Sequence, residues 1–428
     1  MTQAGPVRPD PPRRIVLGIG GGIAAYKVCE VLRRLTEAGH QVRVVPTKAA
    51  LRFVGAPTWE ALSGLPVQQG LFADVPEVPH VRLGQTADLV LVAPTTADLL
   101  ARAAHGRADD LLCATLLTAR CPILLVPAMH TEMWEHPATV HNVEVLRSRG
   151  TVVAEPASGR LTGADSGAGR LPEPAEIVEL ATLLLRRADA LPRDLAGRHV
   201  MISAGGTHEP LDPVRYLGNR SSGRQGYALA RVAAQRGAQV TLVAAHTADL
   251  TDPAGVEVIR VSTARDMREA VLKAAAHADA VVMAAAVADF RPADASPHKI
   301  KKTQSDPDPL SLMLNADILL ELVRCRLTGQ VVVGFAAETG DSERDVLAHG
   351  RAKLVSKGCD LLVVNAVGRG GAFEVDHNTG WLLSDDGVET ELPVGPKSLL
   401  ASHVWDGIAA RLEKRFAPPS SAKLREAT

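Results

Sequence analysis

The sequence has few aromatic residues, no CxxC pair and almost no net charge, and each absence excludes a class of protein. Phe, Trp and Tyr make up 3% of the chain, so its core must consist mainly of Ala, Val and Leu. Such a core is typical of parallel sheets covered by Ala-rich helices. The five cysteines are scattered, which argues against a disulfide framework and a zinc site and indicates a reducing compartment. The net charge of −1 excludes a general electrostatic attraction to nucleic acid or to anionic membranes.

The sequence also has no apolar run long enough to span a membrane, and its Pro-rich N-terminus lacks the apolar segment of a secretory signal. We therefore expect a cytoplasmic protein without membrane or nucleic-acid partners. A chain of 428 residues is too long for one ordinary core, so two or three domains are expected.

Short apolar runs alternate with helical patterns in both halves, which predicts an α/β fold of two doubly wound Rossmann-like domains. A charged segment with Pro and Gly, Arg186–Arg198, fits a linker. The domains are expected at residues 13–190 and 191–415, with tails at 1–12 and 416–428. Phe373–Leu392 alternates polar and apolar residues around Asn378-Thr379-Gly380 and Asp386-Gly387, which predicts an antiparallel ribbon late in the second domain.

In the first half, Gly20, Gly21 and Gly22 lie between a predicted strand and a helix N-terminus, where backbone N–H groups can hold a phosphate. The dinucleotide fingerprint GxGxxG fails because Ile23 occupies the third glycine position. The second strand ends in Pro46-Thr47-Lys48, without an acid for an NAD ribose. A mononucleotide such as FMN therefore fits better than NAD, and a tight turn without a ligand is the alternative.

Further polar segments of this half lie beside its apolar runs. Thr95, Thr96 and Asp98 can cap a helix or reach a flavin, and capping is the more economical interpretation. His80 is placed just before a strand, where it can exchange a proton near neutral pH. His130 lies in PAMHTEMW, whose spacing is not the HExxH of a zinc site. The Gly-rich stretch Glu155–Pro174 predicts a long functional loop, and loops of this length often act as lids.

These motifs resemble the flavin-containing cysteine decarboxylases. GGIAAYK, the segment around His80, APTTAD, PAMHTEMW and the Gly-rich flap occur in family order over roughly the first 190 residues. The resemblance implies a flavodoxin-like domain that binds FMN, assembles as a trimer with sites between subunits and uses His80 in catalysis. It implies that FMN oxidises a C-terminal cysteinyl group to a thioaldehyde, which loses CO₂ and is then reduced. The implied cofactor-binding residues are Gly20, Gly21, Gly22, Thr47, Thr95, Thr96 and Met129.

Two positions depart from this family's pattern. The family motif usually reads PAMNxxMW, with the Asn binding the substrate carboxylate, and here that position is His130. The flap usually carries a cysteine that donates a proton, and its position falls on Gly163. His130 can still donate a hydrogen bond to a carboxylate or supply a proton, so it is a candidate catalytic residue.

In the second half, Ser221-Ser222-Gly223 can open a helix after DPVRYLGN, and no P-loop motif occurs. Arg215 can bind a phosphate or carboxylate, and Asn219 offers both a donor and an acceptor. AAAVADF ends a predicted strand with Asp289, which is a candidate ligand for a nucleotide or Mg²⁺. The lysines of His298–Lys302 suit a triphosphate, although such charge runs are most often solvated surface.

From about Arg198 to Lys414, the chain resembles bacterial phosphopantothenate–cysteine ligase through DPVRYLGNRSSG, AAAVADF, KIKK, NADI, GFAAE and RAKLVSKGCD. The resemblance implies that CTP converts phosphopantothenate to an acyl-cytidylate, from which cysteine displaces CMP. It implies that Asn219 stabilises the acyl-cytidylate, that Arg215 supports that site and that Lys299 lies on a flexible loop over it. The implied CTP contacts are Asp289, Asn315, Ala316, Asp317, Ile318, Phe335, Lys353 and Lys357.

The two resemblances imply consecutive steps: ligation of L-cysteine to 4′-phosphopantothenate, then decarboxylation to 4′-phosphopantetheine. Trimers of the first domain and dimers of the second are compatible with a closed dodecamer. One alternative is a ligase whose flavoprotein half is a non-catalytic oligomerising scaffold, because two of that half's family residues are replaced. A second is an NAD(P)-dependent reductase, which the broken fingerprint disfavours.

Overall fold

The apolar runs of the two halves form two separate, largely parallel sheets in the computed structural model of the chain. The structure describes residues 11–68, 70, 78–161, 165–301, 309–338, 346–366 and 377–416. The chain divides into unit 1, Met1–Arg193 with Pro253–Gly255, and unit 2, Asp194–Asp252 with Val256–Thr428. Within the described ranges, no helix has both the length and the apolar character needed to cross a membrane.

Unit 1 contains a five-stranded parallel sheet and a small ribbon. Its strands are β1 (Arg14–Ile19), β2 (Gln41–Pro46), β3 (Leu89–Thr95), β4 (Ile123–Pro127), β5 (Val152–Val153), β6 (Ala157–Arg160) and β7 (Ser166–Arg170). Its helices are α1 (Ala25–Glu37), α2 (Ala56–Ser63), α3 (Pro79–Thr86), α4 (Ala97–Ala104), α5 (Leu111–Thr118), α6 (Thr131–Trp134), α7 (Pro137–Ser148) and α8 (Pro174–Arg186).

The strand order of the parallel sheet is β2-β1-β3-β4-β5, the order of flavodoxin-like folds. The central strand β3 is buried at every position, as expected for an apolar run covered on both faces. The order reverses between β1 and β3, so a ligand is expected outside the carboxyl ends of these strands. The predicted fold class is confirmed for this half.

Two elements of unit 1 differ from the sequence prediction. His80 does precede strand β3, but it lies in helix α3, which the sequence did not predict. Gly84 of that helix packs so closely on α5 that a Cβ would lie 2.3 Å from Thr118 Oγ1. The stretch Glu155–Pro174 contains the antiparallel ribbon of β6 and β7 rather than an irregular loop. Backbone pairing, which composition does not reveal, orders this Gly-rich segment.

Among its described residues, unit 2 contains an eight-stranded sheet and two separate two-stranded antiparallel ribbons. Its strands are β8 (His199–Ala204), β9 (His208–Pro210), β10 (Tyr216–Gly218), β11 (Gln239–Ala244), β12 (Val256–Arg260), β13 (Ala280–Met283), β14 (Phe290–Pro292), β15 (Leu312–Leu314), β16 (Val331–Glu338), β17 (Leu361–Ala366), β18 (His377–Ser384) and β19 (Glu389–Pro396). Its helices are α9 (Arg224–Gln235), α10 (Ala264–Ala275), α11 (Ile318–Cys325), α12 (Val346–Lys357) and α13 (Lys397–Phe416).

The main sheet runs β12-β11-β8-β13-β16-β17-β18-β19, and its first six strands are parallel. Numbered within this sheet, these strands follow the Rossmann order 3-2-1-4-5-6, with the switch point between β8 and β13. The antiparallel pair β18 and β19 confirms the predicted late ribbon. Its turn is at Gly387, where φ is +87°, whereas Gly380 lies inside β18. A Cβ at Gly380 would lie 2.1 Å from the carbonyl oxygen of Val364, so close strand contact requires this glycine.

Some predicted features lie outside the described residues. These are Gly163, Lys302, residues 373–376 of the predicted ribbon, residues 1–10 of the N-terminal tail and residues 417–428 of the C-terminal tail.

Candidate functional site

Unit 1 has a cavity of about 800 Å³ at the carboxyl edge of its sheet, beside the point where the strand order reverses. This volume suits a cofactor-sized ligand. Of the predicted site residues, six line the cavity: Gly21, Gly22, Thr47, Thr96, Met129 and His130. They follow four different strands in the sequence. The sheet edge therefore brings together residues that the motifs suggested separately.

The glycine turn after β1 packs against the end of β3 and against the loop that follows β2. The Gly20 N–H donates to the Pro94 carbonyl at 3.0 Å, and a Cβ at Gly20 would lie 2.3 Å from that same oxygen. A Cβ at Gly21 would lie 2.3 Å from the Cβ of Ala49. At Gly22, by contrast, the nearest atoms would be 3.9 Å away. Gly20 and Gly21 thus allow a close backbone approach, and Gly22 leaves space at the cavity wall near the start of α1.

The predicted threonines have separate roles. Thr96 caps α4 by accepting a hydrogen bond from the Leu99 N–H at 3.3 Å, and it also lines the cavity. Thr47 lines the cavity and accepts from the Ala50 N–H at 3.1 Å. Thr95 is buried: its hydroxyl donates to the Val92 carbonyl at 2.8 Å and accepts from the Val126 N–H at 3.1 Å. Thr95 therefore joins the ends of β3 and β4 instead of lining the cavity.

His130 lies between two carboxylates. Its Nδ1 hydrogen-bonds Glu132, and its Nε2 is 3.4 Å from Asp165 Oδ2, beside the first residue of β7. The Glu132 hydrogen bond is the largest cause of a raised His130 pKa, with further contributions from both carboxylate charges. The same bond lowers the pKa of Glu132. The cavity therefore carries an imidazole that is more readily protonated than an ordinary histidine.

We expect Glu132→Gln to lower the pKa of His130 toward its ordinary value of 6.5, because the main anionic partner becomes neutral. Since the folded-state pKa is raised, the Glu132–His130 pair stabilises the fold below pH 6.5, and this contribution is lost as the pH rises through the raised value. An NMR titration of the His130 ring measures the shift, and Glu135→Gln in the same segment is the matched control. An unchanged His130 pKa in Glu132→Gln would contradict this interpretation.

His80 does not line the cavity described above. It lies in α3, and its carbonyl accepts a hydrogen bond from Thr118 Oγ1 of α5 at 2.7 Å. Its Nδ1 is buried without a hydrogen-bond partner in the described part of the chain. A buried, unsatisfied imidazole nitrogen is unusual and calls for an explanation.

The sequence did not predict the four basic residues that line this cavity: Lys27, Arg102, Arg160 and Arg170. Glu173 Oε1 accepts from Lys27 Nζ at 3.1 Å and from Arg170 Nη2 at 2.6 Å, so it connects α1 to the end of the ribbon. Lys27 belongs to the GGIAAYK motif, but only the glycines of that motif were predicted to bind a ligand.

None of the three cysteines of unit 1 is among the described residues lining the cavity. Cys113 is buried, which raises its pKa to about 12. Among the described residues, the single cluster of three potential metal ligands is Asp109, Asp110 and Cys113. Arg102 bonds to the two aspartates at 3.0 and 2.8 Å, so these carboxylates already neutralise a cation.

Unit 2 has a cavity of about 560 Å³ beside its own switch point. Four predicted site residues line it: Asn219, Asp289, Phe335 and Lys353. Asn219 Nδ2 donates to the Val287 carbonyl at 2.9 Å, which joins the segment after β10 to the segment after β13. Asp289 is exposed at the cavity and belongs to no metal-ligand cluster within the described ranges.

Arg215 and Lys299 do not line this cavity but belong to one local structure. Asp212 accepts from the Ile300 N–H at 3.1 Å, and Arg215 Nη2 donates to the Ile300 carbonyl at 2.9 Å. The turn formed by residues 212–215 therefore holds the segment that carries Lys299. Arg215 contributes both a hydrogen bond to this segment and a positive charge.

The Asn315–Ile318 segment and Lys357 also lie outside the cavity lining. Asn315 is tied to the Asp289 segment: its N–H donates to the Asp289 carbonyl at 2.8 Å, and its Nδ2 donates to the Ala288 carbonyl at 2.8 Å. Asp317 caps α11 and forms an ion pair with Lys357. Burial alone would raise the pKa of Asp317, but the hydrogen bond with Lys357, the largest of the opposing causes, and further contacts together lower it. Two of the predicted CTP contacts therefore bind each other.

The sequence also did not predict seven polar residues that line the unit 2 cavity: Arg220, Ser221, Ser222, Arg224, Gln225, Asn365 and Lys397. The first four belong to or flank the Ser-Ser-Gly segment, which was singled out only as a helix start. Asn365 is the next-to-last residue of β17, and Lys397 is the first residue of α13, so both lie far from the motifs in the sequence.

Two family models match the chain. The model described as DNA/pantothenate metabolism flavoprotein C-terminal domain covers residues 195–412, and the model described as Flavoprotein covers residues 5–185. The coenzyme A biosynthesis bifunctional protein CoaBC of Mycobacterium tuberculosis is 66% identical over 94% of this chain and 97% of its own length. The chain belongs to the CoaBC family. The CoaBC of Escherichia coli is 40% identical, over 94% of this chain and 98% of its own length.

Solved structures resemble each half of this CoaBC family member. The crystal structure of the C-terminal domain of a CoaBC protein has 34% identity and a TM-score of 0.44, covering 52% of this chain and 99% of that one. The FMN-dependent cysteine decarboxylase SpaF has 32% identity and a TM-score of 0.36, covering 41% of this chain and 97% of that one.

Proposed function

We propose that this protein catalyses two consecutive steps of coenzyme A biosynthesis. Unit 2 joins L-cysteine to 4′-phosphopantothenate with CTP, and unit 1 decarboxylates the product to 4′-phosphopantetheine. The observation that carries this proposal is the presence of two separate cavities, each beside the switch point of a sheet. Residues of the decarboxylase-like motifs line the first cavity, and residues of the ligase-like motifs line the second. The membership of the CoaBC family supports it over nearly the whole chain.

In unit 2, a pantothenate carboxylate oxygen attacks the α-phosphorus of CTP and pyrophosphate leaves, which forms the acyl-cytidylate. The amine of cysteine then attacks the acyl carbon, and CMP leaves. Asn219 donates to the acyl-cytidylate, Arg215 holds the Lys299 segment over the site, and Phe335, Lys353 and the Asn315–Ile318 segment contact CTP. The amide and cations supply fixed hydrogen bonds where negative charge develops.

Mg²⁺ accompanies CTP in this proposal, with Asp289 as its ligand from the chain, because a carboxylate at a triphosphate site suits a hard cation. Chelation of Mg²⁺ is expected to stop formation of the acyl-cytidylate. Undiminished formation in excess EDTA would contradict the metal requirement.

In unit 1, the residues present fit FMN. The cavity has cofactor dimensions, and the N-terminus of α1 beside Gly21 and Gly22 suits the FMN phosphate. Thr47, Thr96 and Met129 would contact the remainder of the cofactor. When bound, FMN supplies the hydride acceptor and donor that make decarboxylation of a cysteinyl group possible.

The chain's own residues bind the substrate and move its protons. His130 as an imidazolium donates a hydrogen bond to the substrate carboxylate, and after CO₂ has left it can supply a proton to the product. His80 is the second proton-transfer residue. Since it does not line the cavity of its own subunit, we propose that it completes a neighbouring subunit's site in a trimer.

Trimers of unit 1 linked by dimers of unit 2 then give a dodecamer, and a native mass that is not a multiple of three subunits would contradict this assembly.

We expect Gly20→Ala to lose FMN, because its Cβ would lie 2.3 Å from the Pro94 carbonyl oxygen and displace the glycine turn from the end of β3. Flavin absorbance of the purified variant measures how much FMN it contains. This FMN content should fall at least about tenfold, because the phosphate site would be misplaced. Gly55→Ala is the matched control, because its Cβ would make an ordinary contact of 3.6 Å. Full flavin content in Gly20→Ala would contradict the assignment of this turn.

Separate assays of the two half-reactions test the proposed function. Phosphopantothenate and CTP without cysteine should give pyrophosphate and an acyl-cytidylate detectable by mass. Phosphopantothenoylcysteine alone should give CO₂ and phosphopantetheine. The alternative of a ligase with a non-catalytic flavoprotein scaffold predicts the first result without the second.

A further inference from the structure

Two helices of unit 2 begin at the same cavity. The first turn of α9 holds Gln225, whose Nε2 donates to the backbone carbonyl of Lys397, the first residue of α13, at 3.3 Å. Both residues line the cavity. The bond therefore fixes the start of α13 beside the start of α9.

Lys397 is in an unfavourable place for a cation. The residue is only 8% exposed, and it occupies the N-terminal end of a helix, where the helix dipole disfavours positive charge. An anion bound in the cavity would be attracted by the ammonium group of Lys397 and by the N-terminal end of α13.

The cavity has the charge to bind a polyanion. Four cations line it, Arg220, Arg224, Lys353 and Lys397, and Asp289 is the one carboxylate among the described lining residues. The helix that follows the first strand of a Rossmann sheet is the usual place for nucleotide phosphates, and here that helix is α9. Phosphates at the start of α9 would lie beside Lys397.

We propose that Lys397 is a binding residue for the triphosphate of CTP, and that it contacts phosphate groups that leave as pyrophosphate. This inference rests on the proposed ligase function of unit 2. Lys397 belongs to none of the sequence motifs described above. In this proposal it contacts the phosphates of CTP and not the phosphate of phosphopantothenate.

Binding measured by calorimetry with the full-length protein tests the proposal. Loss of a charge-assisted contact predicts that Lys397→Met raises the Kd for CTP about 10- to 100-fold and leaves the Kd for CMP within about twofold. The Kd for phosphopantothenate should also stay within about twofold. Lys414→Met, an exposed lysine at the other end of α13, is the matched control and should bind CTP like the wild type.

Three outcomes separate the possibilities. Equal losses for CTP and CMP, or a loss for phosphopantothenate alone, would overturn the assignment of Lys397 to the triphosphate. Lys397→Arg should recover part of the CTP affinity, which a defect in folding would not show. If the wild-type protein forms no acyl-cytidylate from CTP, the proposed function fails, and this failure is distinct from unchanged CTP binding by an active Lys397→Met variant.

Discussion

Replacement of Asn219 by alanine is expected to lower the rate of acyl-cytidylate formation about 10²- to 10³-fold. This is the usual cost of removing a fixed hydrogen-bond donor from a site where negative charge develops. Asn219 is suited to this role because it lines the unit 2 cavity and its amide is oriented by the hydrogen bond to the Val287 carbonyl at 2.9 Å. Pyrophosphate release with saturating CTP and phosphopantothenate measures the effect.

The second activity of the same chain is the internal control for this variant. Decarboxylation of added phosphopantothenoylcysteine should be unchanged, because its proposed residues lie in unit 1. The Kd for CTP should stay within about threefold, which would show that the segment after β10 keeps its position. Pyrophosphate release within tenfold of the wild-type rate would contradict the role assigned to Asn219.

Replacement of Arg236 by methionine is expected to destabilise unit 2 by about 3 kcal/mol, because it removes one partner from a buried ion network. Arg236 is 1% exposed. It makes two hydrogen bonds to Asp194, one of 2.9 Å from Nε, and it donates to Asp406 of α13 at 2.8 Å and to the Ser402 carbonyl at 3.1 Å. The variant leaves these acceptors without their cation.

Hydrogen exchange of α9 and α13 measures this loss within unit 2. A change of about 3 kcal/mol corresponds to exchange roughly a hundredfold faster for amides that exchange by unfolding of the unit. Arg351→Met is the matched control, because Arg351 pairs with Glu389 at 2.6 and 2.8 Å on the surface and should contribute less than about 1 kcal/mol. Equal effects of the two substitutions would contradict the importance of the Arg236 network.

The sequence predicted both sheets because their strands are continuous apolar runs. The strands around Asp88–Val92 and Ala280–Met283 were found within a few residues of their observed bounds. Helix α3 was missed because a short segment with Pro79 and Gly84 has little intrinsic helical preference, and its packing on α5 stabilises it. The β6–β7 ribbon was missed because its glycines give no alternating pattern of side chains.

The candidate sites were predictable where a motif follows a strand directly. Gly21, Gly22, Met129 and His130 reach one cavity because the carboxyl ends of parallel strands share an edge. Lys397 was not predictable, since its place at the unit 2 cavity depends on how α13 returns to the sheet after β19. The proximity of Asp165 to His130 could not be predicted either, because Asp165 comes close to this side chain only through the pairing of β6 with β7.

A single product assay tests the central claim that one chain performs both reactions. Purified protein is incubated with phosphopantothenate, cysteine, CTP and Mg²⁺, and CO₂, CMP and both thiol products are followed. The account predicts that phosphopantetheine accumulates with one CO₂ and one CMP per molecule. Accumulation of phosphopantothenoylcysteine without CO₂ would contradict the claim and leave unit 1 as a flavoprotein scaffold for the ligase.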